Sequence, residues 1–161
     1  MKKPAKKQQR QGTIAYDKGH RFEEVVAKWA KRKFNLDKVD LNQQFKGKVA
    51  VRPFEIDIVG LKKASGLLVA KEVVVFWIEC KDREASIKRT DINKLYDSAV
   101  DVKKAVPSIT WSGLSKQQVK MSWDNLVFVS SSTFDVDALN FAEKHNIACY
   151  YYDGKTFKKM G

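Results

Sequence analysis

Two acidic residues sit where acids are costly. Asp57 is embedded in an apolar segment between Ile56 and Ile58, and Glu79 closes EVVVFWIEC, the densest run of β-branched and aromatic residues in the chain. Lys81 follows Glu79 with only Cys80 between them. In an extended strand, residues two apart project from the same face, so Glu79 and Lys81 point together and Cys80 points away. If the strands carrying Asp57 and Glu79 pair, the three side chains converge at one sheet edge. A buried carboxylate needs a cation or hydrogen-bond donors. Two or three acids against one lysine leave room for a divalent ion, and oxygen donors select Mg2+ or Mn2+ over zinc. Such an ion beside two carboxylates and a lysine suits attack of water on a phosphodiester. The plainer alternative is a buried ion pair, Glu79 or Asp57 with Lys81, without catalysis.

The acid-x-Lys triplet has no weight alone. It occurs at Glu79-Cys80-Lys81, Asp101-Val102-Lys103 and Asp153-Gly154-Lys155, about what chance gives for 19 acids and 25 lysines in 161 residues. Strand context separates them. Asp101 falls on the solvated side of a helix and Asp153 in a turn, whereas Glu79 ends a central strand preceded by a second strand with an embedded Asp.

The elements that must position these residues follow from periodicity. Residues 1–13 form a basic arm without apolar period, expected to be disordered; residues 14–161 form a single domain. A helix begins near Asp17, with Phe22, Val25, Val26, Trp29 and Phe34 on one stripe. Glu23 lies on the flank of that stripe and Glu24 nearly opposite, so Glu23 is the acid that can reach a site at the core's edge. Residues 39–45 alternate as a half-buried strand. Residues 49–51 continue as strand until Pro53; residues 54–59 form the next strand, closed by Gly60. The run within 67–80 reads as the middle of a sheet, buried on both faces. A helix follows with Thr90 as N-cap and Ile92, Leu95, Ala99, Val102 and Val106 inward, stopped by Pro107. Residues 107–124 read as an excursion outside the core. Then come a strand at 126–129, a helix with Phe134, Ala138, Leu139, Phe141 and Ala142 inward, and a last strand at 147–152. The order α-β-β-β-α-β-α-β predicts an α/β fold, with a mixed central sheet flanked by helices.

Composition bounds the partners. Lys and Arg number 31 against 19 Asp and Glu, a formal charge of +12, which suits a polyanion and above all nucleic acid. A lysine-rich solubilising surface is the bland alternative. Two Cys and two His are too few for a disulfide scaffold or a zinc site. No apolar run spans a bilayer and no secretory leader is present, so the expectation is a cytoplasmic, nucleoid-associated protein with no membrane and no small-molecule cofactor.

Glu55-Ile56-Asp57-Ile58 followed by Ile78-Glu79-Cys80-Lys81-Asp82 resembles the PD-(D/E)XK nuclease superfamily, most closely its Mrr-like restriction endonucleases and archaeal-type Holliday-junction resolvases. Gly19-His20-Arg21-Phe22-Glu23 is similar to the family's first-helix motif. Val127 to Ser132, then Phe134, Ala138, Phe141 and Ala142, resemble its later strand and helix. The resemblance covers residues 16–154 and implies a restriction-endonuclease-like core and a metal-dependent DNA endonuclease. It implies that Asp57 and Glu79 ligate Mg2+ with the Cys80 backbone carbonyl, that Lys81 orients or activates the attacking water, and that Glu23 completes the acidic cluster. By the same analogy the protein is a homodimer. Pro53 departs from the family pattern, standing four residues before Asp57, and the core does not require 107–124. The competing class is a non-catalytic nucleic-acid-binding module on the same fold. Arg83, Lys88 and Arg89, just after the triplet, are the candidate phosphate contacts. His20 reads as a surface or phosphate contact and His145 as a helix C-terminal contact. Cys80 and Cys149 read as packing, as do Trp111 and Trp123 more readily than as base-stacking groups.

Overall fold

The computed structural model describes the backbone of residues 5–63, 72–106, 108–110 and 118–161, and the side chains of residues 18–63, 73–106 and 123–161. The elements run α1 (Ala5–Lys33), β1 (Lys38–Phe45), β2 (Phe54–Lys63), β3 (Glu72–Lys81), α2 (Arg89–Ala105), β4 (Ser108–Thr110), β5 (Gln118–Ser130), α3 (Val136–Lys144), β6 (Ile147–Tyr152) and β7 (Phe157–Met160). The fold is α/β. A mixed sheet in the order β1-β2-β3-β5-β6-β7 has β4 paired to β5 off that path. β1, β2 and β3 form an antiparallel meander, whereas β3, β5 and β6 are mutually parallel. This arrangement is compatible with a restriction-endonuclease-like core.

The sheet is the middle of three layers. Phe22, Val26 and Ala30 of α1 cover one face, meeting Ile58, Ile78, Cys80, Val127, Val129 and Tyr150. Ile92, Leu95, Ala99 and Val102 of α2 and Ala138 and Ala142 of α3 cover the other, meeting Ile56, Val75, Trp77 and Phe128. β3 is buried on both faces because helices lie on both sides, as its continuous apolar run predicts. Among the described residues, no helix is long and apolar enough to cross a membrane.

Several expectations need correction. Helix α1 begins at Ala5, so residues 5–13 are helical where an arm without structure was expected; Ala5 to Gln11 are all good helix formers. Residues 1–4 lie outside the described residues, as do Pro107 and Trp111. Val25, placed on the inward stripe, is 40% exposed. Residues 49–51 are not a strand. They lie in a loop that leaves Val49 and Val51 exposed, with the Asp101 carboxylate accepting from the backbone N–H groups of Val49 (2.9 Å) and Ala50 (3.0 Å). Gly60 does not end β2 but lies inside it. A Cβ there would come 2.5 Å from Leu36 Cδ1, so the close approach of Leu36 explains the glycine.

Helix α2 starts at Arg89 and its N-cap is Lys88, not Thr90. The Asp91 carboxylate supplies the cap by accepting the Lys88 N–H at 2.9 Å. The segment 107–124 is not an excursion throughout. β4 and the first half of β5 pair within it, and Trp123 is core, donating its Nε1–H to the Val106 carbonyl at 2.8 Å. β7 is an additional edge strand, paired with β6.

Candidate active site

β2 and β3 pair from Lys63–Val73 down to Ile58–Ile78, where their ladder ends. On its other edge β3 stays paired with β5 as far as Lys81–Ser130. A fork therefore opens between β2 and β3 just where Asp57 and Glu79 stand. Main-chain donors at a parted edge need new acceptors. Asp57 provides one: its Oδ2 accepts the Cys80 N–H at 2.8 Å.

Both strands of the β1–β2 pair roll over at this point. Asn42 and Asp57 fall on the rung between the Leu41–Ile58 and Gln43–Ile56 pairs. Leu41 and Ile58 pack on the α1 side, whereas Phe45 and Ile56 pack on the α2–α3 side. Unbroken alternation would keep Ile56 with Ile58 and Leu41 with Phe45. The break is marked by Asn42, whose φ of 50° is left-handed, a region that Asn tolerates better than most residues. The inversion turns the Asp57 carboxylate across the fork toward β3.

Cys80 faces the α1-side core, and Glu79 and Lys81 share the opposite projection, as the strand period requires. Lys81 Nζ donates to Glu79 Oε1 at 2.5 Å. Glu23 reaches the site from α1. Its Oε2 accepts from Asn42 Nδ2 at 3.3 Å and lies 2.9 Å from His20 Nδ1. Its side chain is 16% exposed, whereas Glu24 is fully on the solvent side, as the helical stripe predicts.

These groups sense one another. Burial and then the Glu79 charge push Asp57 up to about 7, with Glu23 adding to the rise and the Cys80 N–H and Lys81 opposing it. Burial alone would lower Lys81, but the Glu79 and Asp57 charges outweigh it and hold the ammonium above its ordinary range. Burial and the same acids push the Cys80 thiol far up, so it is inert packing. The surroundings thus contain more carboxylate than one lysine balances.

Asp57 and Glu79 carry the hard oxygen donors that a divalent ion such as Mg2+ takes. Among the described residues, no three His, Cys, Asp or Glu side chains gather as a ligand cluster. What the fork offers is two carboxylates, Asp57 and Glu79, with a main-chain carbonyl between Glu79 and Lys81. Mg2+ is ordinarily held by one or two carboxylates, with water filling the rest of its octahedron.

The three cations after β3 each have a partner within the protein. Arg83 is a structural clamp. Both terminal nitrogens of its guanidinium reach the Asp91 carboxylate, while Nε and one terminal nitrogen donate to the Ala85 and Ser86 carbonyls. Lys88 pairs with Asp135 at 2.8 Å, and Arg89 lies over the Phe141 ring at 5.2 Å. His145 caps the end of α3 and packs on Tyr96 and Phe141, in keeping with a helix C-terminal role. Cys149 is buried.

Asn42, Asp82 and Ser131 were not singled out from sequence. Asp82 accepts from Ser131 Oγ at 2.6 Å and lies 3.5 Å from Lys18 Nζ, tying α1 and β5 to the residue after Lys81. The available signal was Asn42 itself, a residue type depleted in strands, placed inside one.

The chain matches no protein-family model and no curated protein sequence. Among solved structures it is similar to AF1548, a protein of unknown function, with a TM-score of 0.51 and 18% identity over 83% of this chain and 56% of that one. Vibrio cholerae VC1899 follows at a TM-score of 0.45 and 18% identity, over 81% of this chain and 29% of that one. A repair endonuclease from Pyrococcus abyssi follows at 0.41 and 14%, over 81% and 46%. The chain thus spans about half or less of the length of each. At these identities the similarity is one of fold.

Proposed function

We propose that the protein is a metal-dependent DNA endonuclease hydrolysing phosphodiester bonds at the β2–β3 fork. The observation that carries the reading is the fork itself, where the β2–β3 ladder ends and the half-buried Asp57 carboxylate accepts the Cys80 N–H of β3 beside Glu79 and Lys81. Burial first and the Glu79 charge second push the Asp57 carboxyl up to about 7. Burying like charges is unfavourable unless a counter-charge joins them.

In this reading Asp57, Glu79 and the Cys80 carbonyl hold Mg2+ or Mn2+, and the bound ion supplies Lewis-acid polarisation of the phosphate. Lys81, whose charge Glu79 and Asp57 favour, would orient or activate the attacking water and offset charge on the phosphorus. Glu23, held by Asn42 and near His20, completes the acidic rim and is placed to orient an incoming water. The basic balance of +12 favours a polyanionic substrate. Restriction-type and junction-resolving activities both fit this chemistry, and each calls for two fork sites in a homodimer to cut both strands.

The test offers supercoiled plasmid, linear duplex and a four-way junction to the protein with Mg2+, Mn2+ or EDTA. Cleavage is expected with either ion, and Asp57→Ala and Lys81→Ala are expected to abolish it while DNA binding survives. Equal cleavage in EDTA removes the mechanism. The second reading, a non-catalytic nucleic-acid module, is favoured by the Lys81–Glu79 contact, in which the lysine already has its partner. Binding without cleavage under every condition selects it.

A further inference from the structure

Of the cations expected to meet phosphates after β3, Arg83 is paired with Asp91 and Lys88 with Asp135, and Arg83 also lines the groove beside α1. A different basic surface lies on α1. At about 100° per residue, Lys18, Arg21, Val25, Lys28 and Arg32 fall within roughly 80° of arc. All five are exposed. Lys18 is loosely paired with Asp82, while Arg21, Lys28 and Arg32 have no ion-pair partner among the described residues. The stripe lies on one flank of the apolar stripe of α1 and Glu23 on the other.

Lys18, Arg21 and Val25 form one wall of an open groove of about 670 Å³. Its floor is the ends of β3, β5 and β6, presenting Asp82, Ser131, Thr133, Tyr151 and Tyr152. These three strands are parallel and finish together, and α/β sheets bind ligands in the crevice outside the carboxyl ends of their strands. Asp82 directly follows Lys81, so the groove opens beside the fork. Its acids, apart from exposed Glu84, are internally bonded: Asp82 to Ser131, and Asp153 to the backbone N–H groups of Lys155 and Thr156. From Arg21 to Arg32 the helix rises about 16 Å, enough for its cations to meet successive phosphates of one strand.

We propose that this stripe and groove form the track for the sugar-phosphate backbone of the DNA strand on one side of the scissile phosphate. The assignment of the scissile phosphate rests on the fork being a nuclease site; the track itself requires only a polyanion.

The test is fluorescence anisotropy in EDTA with a labelled 20-mer, as duplex and as single strand, over a salt series. The variant is Arg21→Gln, Lys28→Gln and Arg32→Gln together. Removing three phosphate contacts is expected to lower the slope of log K against log salt by about 2 to 3, and affinity by on the order of a hundredfold at 0.1 M salt. A charge-matched control, Lys94→Gln, Lys104→Gln and Lys144→Gln on α2 and α3, is expected to move the slope by less than about 1. Arg21→Lys with Arg32→Lys is expected to keep it, which separates charge from folding. A lost slope with either probe supports the track. An unchanged slope with both probes, an equal loss in the control, or an equal loss in the Lys variant overturns it. Because no cleavage is measured, a protein that never cuts DNA but loses binding in the triple variant refutes the nuclease reading and keeps the track.

Discussion

Asp57 concentrates the energetics of the site in one titration. Its carboxyl ordinarily titrates near 3.8 and in the folded protein near 7. A raised pKa means that the folded state holds the proton more tightly. The stability this group contributes is therefore fully present below about pH 4 and is lost as pH rises through about 7. Without divalent ions, the melting temperature is expected to fall by several degrees between pH 5 and pH 8. Asp57→Asn keeps the acceptor for the Cys80 N–H, removes the charge, and is expected to flatten that fall. Mn2+ at pH 8 is expected to raise the wild-type melting temperature and leave Asp57→Asn unmoved, since an ion that binds only the folded site stabilises it. A wild-type melting temperature as flat as that of the variant would show that neither burial nor the Glu79 and Glu23 charges raise the Asp57 carboxyl. Asn42 adds a second residue-scale prediction. At a φ of 50°, Asn42→Ala is expected to cost about 1–2 kcal/mol in urea unfolding, and Asn42→Gly less, because glycine adopts that backbone freely. Asp57, Glu79, Lys81 and Glu23 were legible from sequence, because acids inside apolar strands and on helix flanks stand out against period. Asn42, Asp82 and Ser131 were not, because their importance comes from register, and register is set by strands distant in the chain.

Elements were legible where burial imposes a period and misread where the chain turns. β6 was read to the residue, and the apolar run of β3 to its core placement, because helices on both faces leave no other composition possible. Residues 49–51 carry two valines and resemble a strand, yet the backbone there is bonded to a side chain on α2. Gly47 admits that contact, since a Cβ at this position would lie 2.0 Å from Asp101 Oδ2. The loop is therefore held, not free, although Val49 and Val51 are 82% and 93% exposed. Asp101→Ala removes the acceptor for two N–H groups. It is expected to speed tryptic cleavage after Lys46, Lys48 or Arg52 several-fold, with the melting temperature little changed, as mass mapping of a limited digest would show. Equal digestion rates would mean that the Asp101 contacts do not order the loop. The same logic explains Arg83. The Asp91 carboxylate, in the first turn of α2, holds the guanidinium and so fixes the side chain that follows the active edge.

At the scale of the molecule, the layers place two unlike surfaces side by side, an acidic fork and a basic helix flank. Net charge was legible from composition, but its separation from the acids was not, because only folding sets α1 across the sheet so that Glu23 faces β1 while Arg21 and Arg32 face away. If the fork is the nuclease site proposed, each copy contributes one fork and breaks one strand per encounter. If two copies act together, the product depends on protein concentration. Supercoiled plasmid with Mg2+ is then expected to give nicked circles at low protein concentration and linear product above the concentration at which sedimentation shows a dimer. Mixing wild type with excess Lys81→Ala is expected to shift the product toward nicks, since a mixed dimer holds one working fork. Linear product from a species that sediments as a monomer would require one fork to serve both strands in turn, and the homodimer would fall while the fork chemistry stood.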